Sequence, residues 1–499
     1  MPYKSLFISI LFVFILQTMH SQPIREFRGL WVATVGNIDW PSQKGLDAQT
    51  QQREFLDIVA KAKKNNFNAL IVQIRPAADA FYASPYENWS RYLSGKQGEA
   101  PSPYYDPLLF MIEACHKQAI EFHAWFNPYR ALVDAKNNVH TSQHITYLHP
   151  EWFVNYGGKK YFNPGIPEVQ QYFTKIVLDV VKRYDIDAVH FDDYFYPYRI
   201  AGSEFPDQKA FIKYGYNFIS KDDWRRNNVN ELIQTLSKQI KSEKSYVKFG
   251  ISPFGVWRNS NKDPMGSATT AGQTNYDDLF ADVLLWQKKG WIDYILPQLY
   301  WEQGHKAADY NTLLTWWSKH GYNKHVYIGH ATYQLSNTAK KLCWRNNDEI
   351  KEQINLLRNE PNIHGSAYYN ASSIMKNACN INECFQKEVY THPALMPDMP
   401  WLQTKLPVPS VTLKPIIKSG SGNKLAWEST TKTNSYIVFA IYKHRKNESL
   451  DFNNPIQLIG ITGENTFTDE SAYQNGYTYC ILSMDRLQRA GEKSNEESI

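Results

Sequence analysis

From residue 27 to residue 370 the chain alternates short apolar runs with amphipathic stretches long enough for helices. Few folds tolerate such regularity, because each helix must carry the chain back to lay the next strand parallel to the last. FRGLWVATV (27–35) is the first run. The stretch 47–66 follows, with Phe55, Ile58, Val59 and Ala62 on one helical face. ALIVQIRP (69–76), a helix over 106–119, and EFHAWFNPYR (121–130) come next. A helix from Pro167 to about Tyr184 leads to DAVHFDD (187–193). Ser220 can cap the helix after it, and VKFGISPFGVW (247–257) is the fifth strand. The pattern closes with a helix over 275–290 and strands at 293–301, 325–333 and 365–370. Eight such units predict an α/β fold, a (β/α)8 TIM-type barrel over 22–392, with long insertions after strands two, three, four, five and seven. A doubly wound open sheet is the alternative, but it calls for a Gly-rich phosphate turn after strand one, and VGNIDWPS is not one.

The flanks read differently. Residues 1–21 carry one lysine, an apolar run from Leu6 to Leu16 and then small and polar residues. This is the pattern of a signal peptide, too short in its apolar part for a comfortable bilayer span, with the cut expected after Ser21. No cysteine adjoins that cut, and no later stretch is long and apolar enough to cross a membrane. An exported protein of the periplasm or cell envelope is expected. Residues 393–408 are rich in proline and read as a linker. Residues 409–499 hold short β-type runs that resemble a fibronectin type III domain, an independent sandwich with Trp427 and Tyr479 in its core. Cys379 and Cys384 are close enough in sequence to bridge in an exported protein, and Cys115 lies on an apolar helical face. The net charge of +5 is small for 499 residues, so no nucleic-acid partner is expected. The chain is expected to act as a monomer.

DAVHFDDYFYPY ends a buried strand in two adjacent carboxylates, Asp192 and Asp193. In a parallel barrel the carboxyl ends of the strands meet at one mouth. Period two places His190, Asp192 and Tyr194 on one face and Phe191 and Asp193 on the other, so one acid points inward and its neighbour sits at the rim, free to swing. Two carboxyls this close do not both ionise easily, and a protonated acid beside an ionised one suits glycosidic cleavage. Other strand ends add Gln73, Arg75 and Asp79; His123, Trp125, Asn127 and Arg130; and Gln298, Tyr300, Trp301 and Glu302. Plainer readings stand beside these: Arg75 paired with one of the acids, Asn127 as a turn former, His123 and His190 as core histidines, Glu302 as a solvated loop acid.

FRGLWVATVGNIDWPS, QIRPAADAFYAS, HAWFNPYR, HFDDYFYP, GISPFGVWRNS, NYDDLFADVLLWQKKGWIDYILPQLYWEQG and GSAYYNASSI occur in order between Glu26 and Tyr390. Together they resemble glycosyl hydrolase-like family 10. The resemblance implies an exported glycosidase barrel acting on glycan strands of peptidoglycan. It implies Asp192, Asp193 and Glu302 as acidic site residues, with Arg75, Asn127 and Tyr300 around them.

The expected activity is hydrolysis of glycosidic bonds in N-acetylated glycan, with no metal and no organic cofactor. Either Asp192 works against Glu302 across the bond, or the substrate's own acetamide attacks and the acid pair divides the remaining work. The rivals are a non-catalytic glycan-binding barrel, a glycosidase for another polysaccharide, and an esterase or deacetylase. The last wants a Ser–His pair or a metal triad, and neither is spaced recognisably.

Overall fold

The computed structural model describes residues 22–135, 141–404, 408–420, 422–430, 436–471 and 476–499. The expected signal peptide lies outside the described residues. Eight parallel strands close into a barrel: β1 (Phe27–Val32), β2 (Ala69–Arg75), β3 (Glu121–Phe126), β4 (Ala188–Phe191), β5 (Lys248–Ile251), β6 (Tyr294–Ile295), β7 (His325–His330) and β8 (Ile363–Tyr368). The order is sequential, and β8 pairs with β1 through Phe27↔Gly365 to Leu30↔Tyr368. Between them run α1 (Ala48–Lys64), α2 (Pro107–Lys117), α3 (Pro167–Arg183), α4 (Lys221–Glu243), α5 (Val283–Lys288), α6 (Tyr310–Lys319) and α7 (Asp348–Leu357). Among the described residues no helix is long and apolar enough to cross a membrane.

Period two sorts the strand side chains into two cores. Leu70, Val72, Phe122, Phe126, Val189, Phe191 and Phe249 face the helices and join Phe55, Ile58, Val59 and Ala62 of α1. Phe27, Trp31, Ile71, Trp125, Tyr294 and Tyr327 fill the barrel. Gly250 makes room there: a Cβ at this position would lie 1.9 Å from the Tyr294 ring. Helix starts follow local chemistry. Asp47 accepts from Thr50 N, Asp106 caps the turn led by Pro107, and Ser220 accepts from Asp223 N at 3.3 Å.

Three elements are shorter than their sequence patterns. Strands five and six stop before Pro253 and Pro297, which bring no N–H to the ladder; only the bridges Phe254↔Gln298 and Gln298↔Gly329 continue it. The helix expected over 275–290 begins at Val283, because Phe280 takes φ 52° and Asn275 spends its amide on Val256 O. The insertion after β3 folds a small antiparallel sheet from Arg130–Leu132, Phe153–Tyr156 and Lys159–Phe162.

Residues 411–498 form two antiparallel sheets that face each other across Leu425, Trp427, Phe439, Ile441, Tyr479 and Ile481. Trp427 and Tyr479 are buried, as expected. The expected linker is instead a packed strap. Leu395, Met396, Met399 and Leu402 are buried, Leu395 exchanges backbone hydrogen bonds with Ile24 and Glu26, and Met396, Met399 and Leu402 join Leu487 under the barrel. Nor does the sandwich stand alone. Val438, Ala440, Leu482 and Met484 pack with Ala119 of the barrel and Leu395 of the strap, Tyr436 stacks on His116 at 3.9 Å, and Lys63 donates to Ile461 O at 2.5 Å. Arg486 reaches Asp185 at 2.6 Å and Asp187 at 3.0 Å, at the foot of β4. The prolines that read as a flexible tether space apolar residues that the barrel floor needs.

All five cysteines are free thiols, so Cys379 and Cys384 are not bridged. Cys384 is buried in the turn Ile381–Cys384, while the Cys379 sulfur faces Arg345 O and Asn337.

Candidate active site

β4 delivers Asp192 and Asp193 to the carboxyl end of the barrel, and both are buried, at 4% and 2% exposure. Neither acid is therefore free to swing at the rim, as one of the two was expected to be. The chain folds back after the strand, Phe195 N bonds Asp193 O at 3.0 Å, and the Tyr198 hydroxyl returns to donate to the Asp193 carboxylate. Gln298, whose Nε2 donates to Ser252 O at 3.0 Å, stands near enough to lower the same carboxyl. Asp192 accepts from Asn127 Nδ2 at 2.5 Å and from Tyr194 N at 3.3 Å.

The donor at Asn127 is set from a distance. The backbone N–H groups of Thr34 and Val35 donate to Gln73 Oε1 at 3.0 and 2.9 Å. Gln73 Nε2 must then face Asn127 Oδ1, at 2.5 Å, and Asn127 is left with its NH2 toward Asp192. Gln73 stands near the end of β2, among the strand-end residues expected at the mouth.

Burial pushes both carboxyls up. Asp192 rises to about 7, through burial first and the charge of Asp193 second, against the pull of Arg130, Tyr194 N–H and Asn127. Asp193 rises to about 6 through burial, restrained by Tyr198, Arg130 and Gln298. Burial and mutual repulsion thus favour keeping a proton on the pair toward neutral pH. Arg130 lies 4.0 Å over the Tyr194 ring and is the cation acting on both acids.

A buried acid with a raised pKa favours the fold only while protonated, so its stabilising contribution is lost as pH rises through the folded value. The expected result is that Asp192→Asn melts higher than the wild type at pH 8 and by a smaller margin at pH 5, read by calorimetry. A margin that does not change with pH would show that Asp192 titrates normally.

Tyr300 is half-buried, ring-packed with Tyr333 and Tyr369, and its hydroxyl is raised by burial, then by those tyrosines and by both acids. Tyr369, just past β8, senses Asp39, Tyr194 and Asp192. Neither Tyr369 nor Asp39 stood out in the sequence. Asp39 accepts from Ala33 N and Ser372 N, tying the loop after β1 to the loop after β8, and burial lifts its carboxyl to about 6. Trp125 lines the barrel beside His190, and its indole N–H has no partner among the described residues.

Other expected site residues are placed elsewhere. Arg75 is fully buried in a two-pronged pair with Glu87 and also donates to Asn127 O. It braces the β2 exit and pairs with neither acid of the site. Asp79 is buried against Ala77 N and Ser90, and burial lifts its carboxyl to about 7. His190 is fully buried below Asp192, with Nδ1 2.9 Å from the Tyr294 hydroxyl, which His123 also meets at 2.9 Å. The Nε2 of His190 has no partner among the described residues. Glu302 lies on the loop after β6, gripped by Lys341 at 2.6 and 2.8 Å. Burial would raise its carboxyl, but Lys341 outweighs that and holds it below the usual range. Trp301 packs against Phe254 and His305.

A parallel eight-stranded barrel whose fourth strand ends in a buried acid pair, both carboxyls raised by burial, has the equipment of a glycoside hydrolase. Residues 26–344 match the model of the family Glycosyl hydrolase-like 10, and the chain belongs to that family. It is 45% identical to "Glycosyl hydrolase YngK" of Bacillus subtilis (strain 168), over 95% of this chain and 94% of that one. It is 39% identical to "Glycosyl hydrolase DigH" of Escherichia coli (strain K12), over 71% and 84%. Among solved structures it is similar to the PgaB (BpsB) glycoside hydrolase domain from Bordetella bronchiseptica, with TM-score 0.46 and 12% identity over 72% of this chain and 98% of that chain. The protein is a glycoside hydrolase, and its substrate is a glycan.

Proposed function

We propose that this hydrolase is exported and cuts N-acetylated glycan strands, those of peptidoglycan first, with the substrate's acetamide as nucleophile. The buried Asp192–Asp193 pair carries the reading. Adjacent residues on one strand cannot straddle a glycosidic bond, yet they can address two neighbouring atoms on one sugar. Asp192 gives its proton to the leaving oxygen as the C1–O bond breaks. The acetamide carbonyl oxygen bonds to C1, and the Asp193 carboxylate holds the amide N–H as positive charge develops. Water then adds at C1, returning a proton to Asp192 and releasing the acetamide. The resemblance to a peptidoglycan-acting family and the leader-like residues 1–21 support the substrate and the export. The C-terminal sheets, with Trp427 and Tyr479 between them, support a fibronectin type III-like reading of the tail. Mass spectrometry of products from purified peptidoglycan, with and without stem peptides, tests the substrate. Release of no N-acetylated fragment from either would sink it.

One observation favours a second mechanism: Lys341 keeps Glu302 ionised, the state a protein nucleophile needs. If the acetamide is the nucleophile, Glu302→Gln should keep most of its turnover, and a thiazoline analogue of the cyclic intermediate should bind far tighter than the free sugar. A severe Glu302→Gln defect together with weak binding of the analogue would transfer the role to Glu302.

A further inference from the structure

Beyond the acid pair runs an unbroken row of aromatic rings. Tyr194 lies 5.7 Å from Tyr198, Tyr198 6.2 Å from Phe254, Phe254 5.4 Å from Trp301, and Trp301 6.2 Å from His305. The row starts where Tyr198 donates to Asp193 and crosses the exits of β4, β5 and β6. Phe254 stands at 78° to Tyr198 and 82° to Trp301, an edge-to-face contact on each side. Tyr198 is 39% exposed, and Phe254, Trp301 and His305 are half-buried.

The row is rigid by construction. Gly255 carries no side chain because a Cβ there would meet the Trp301 ring at 2.5 Å, so the indole lies directly on the β5 exit. Gln353 fixes the Trp301 backbone by donating to its carbonyl at 3.1 Å. The Trp301 indole N–H has no hydrogen-bond partner among the described residues. Held rings with apolar faces and a free donor fit a ligand that alternates C–H faces with hydroxyls. Glu302 adds no net charge beside the row, because Lys341 neutralises it.

We propose that this row is a binding platform for several consecutive sugars on one side of the scissile bond, so that the enzyme cuts inside glycan chains. Its place beside the bond rests on the acid pair proposed above. Four ring-to-ring steps of 5.4 to 6.2 Å offer more than one ring for successive sugars.

The test uses the full chain and N-acetylated oligosaccharides of increasing length. Wild-type kcat/KM should climb with length until the row is filled, and long strands should shorten before small sugars accumulate. Trp301→Ala should show a loss that grows with chain length, to ~10-fold on the longest, the scale of one aromatic contact. A rate indifferent to length, or an equal Trp301→Ala loss at every length, overturns the platform. Binding to the Asp192→Asn protein is read separately, by calorimetry. Affinity that rises with length, while the wild-type chain cleaves none of these sugars, keeps the platform and removes the proposed chemistry. Affinity that does not rise with length removes the platform.

Discussion

Asp192→Asn and Asp193→Asn should each fold and each lose at least ~10²-fold in kcat, the scale of removing a general acid or base. Folding should survive because an amide oxygen can still accept from Asn127 at position 192 and from Tyr198 at position 193. The chemistry should not. An amide at position 192 has no acidic proton to give the leaving oxygen, and one at position 193 has no charge to set against the developing cation. The wild-type pH profile should be a narrow bell. Its two limbs mark the two proton losses of the pair, both raised by burial above the ordinary carboxyl range. Asp193 is a negative neighbour that raises Asp192, so its removal lowers the pKa of Asp192. The alkaline limb of any residual Asp193→Asn activity should therefore move to lower pH. Wild-type rates in both variants would place the chemistry elsewhere.

A chain ended at Pro400 should lose cooperative unfolding. The truncation removes Trp401, whose indole donates to Asp293 at 2.9 Å, and Leu402 and Leu487 from the barrel floor. It also uncovers His116, Ala119 and Leu395. Asp187 loses Arg486. Burial opposes the charge on Asp187, and His116, Arg486 and Lys248 together hold that carboxyl below its ordinary range. Removing one partner of a buried ion pair costs about 3–5 kcal/mol, against a total stability of roughly 5–15 kcal/mol for a typical domain. The uncovered apolar face adds to the loss. Calorimetry of the truncated and full chains decides the matter. A sharp transition in the shorter chain within a few degrees of the longer would mean that the barrel carries its own floor.

The barrel was legible in the sequence because its strands are buried on both faces and its helices on one, and burial writes periodicity into residue order. Asp192 and Asp193 were legible for the opposite reason, as two charges where the pattern asks for apolar residues. What stayed hidden depends on partners far along the chain. Arg75 reads as a mouth residue until the insertion brings Glu87 to it. Glu302 reads as unpaired until Lys341 arrives from the loop after β7. Tyr369 and Asp39 owe their places to barrel closure, which joins the first and last loops. The strap over 393–408 misled because proline marks a break in regular structure, and a break can still be packed.

The Gln73–Asn127 relay means that the polarity of the site is stored in neutral residues. Main-chain N–H groups at the end of β1 determine which end of each amide faces which way, so neither can rotate by half a turn without opposing two acceptors or two donors. Asparagine and aspartate, or glutamine and glutamate, are near-identical in shape, yet here the exchange at 127 would aim an acceptor at the Asp192 carboxylate, and the exchange at 73 would aim one at Asn127 Oδ1. In mutational terms the two amides are as little interchangeable with their acids as the acids are with their amides. The constraint reaches back to a backbone turn that touches neither carboxylate.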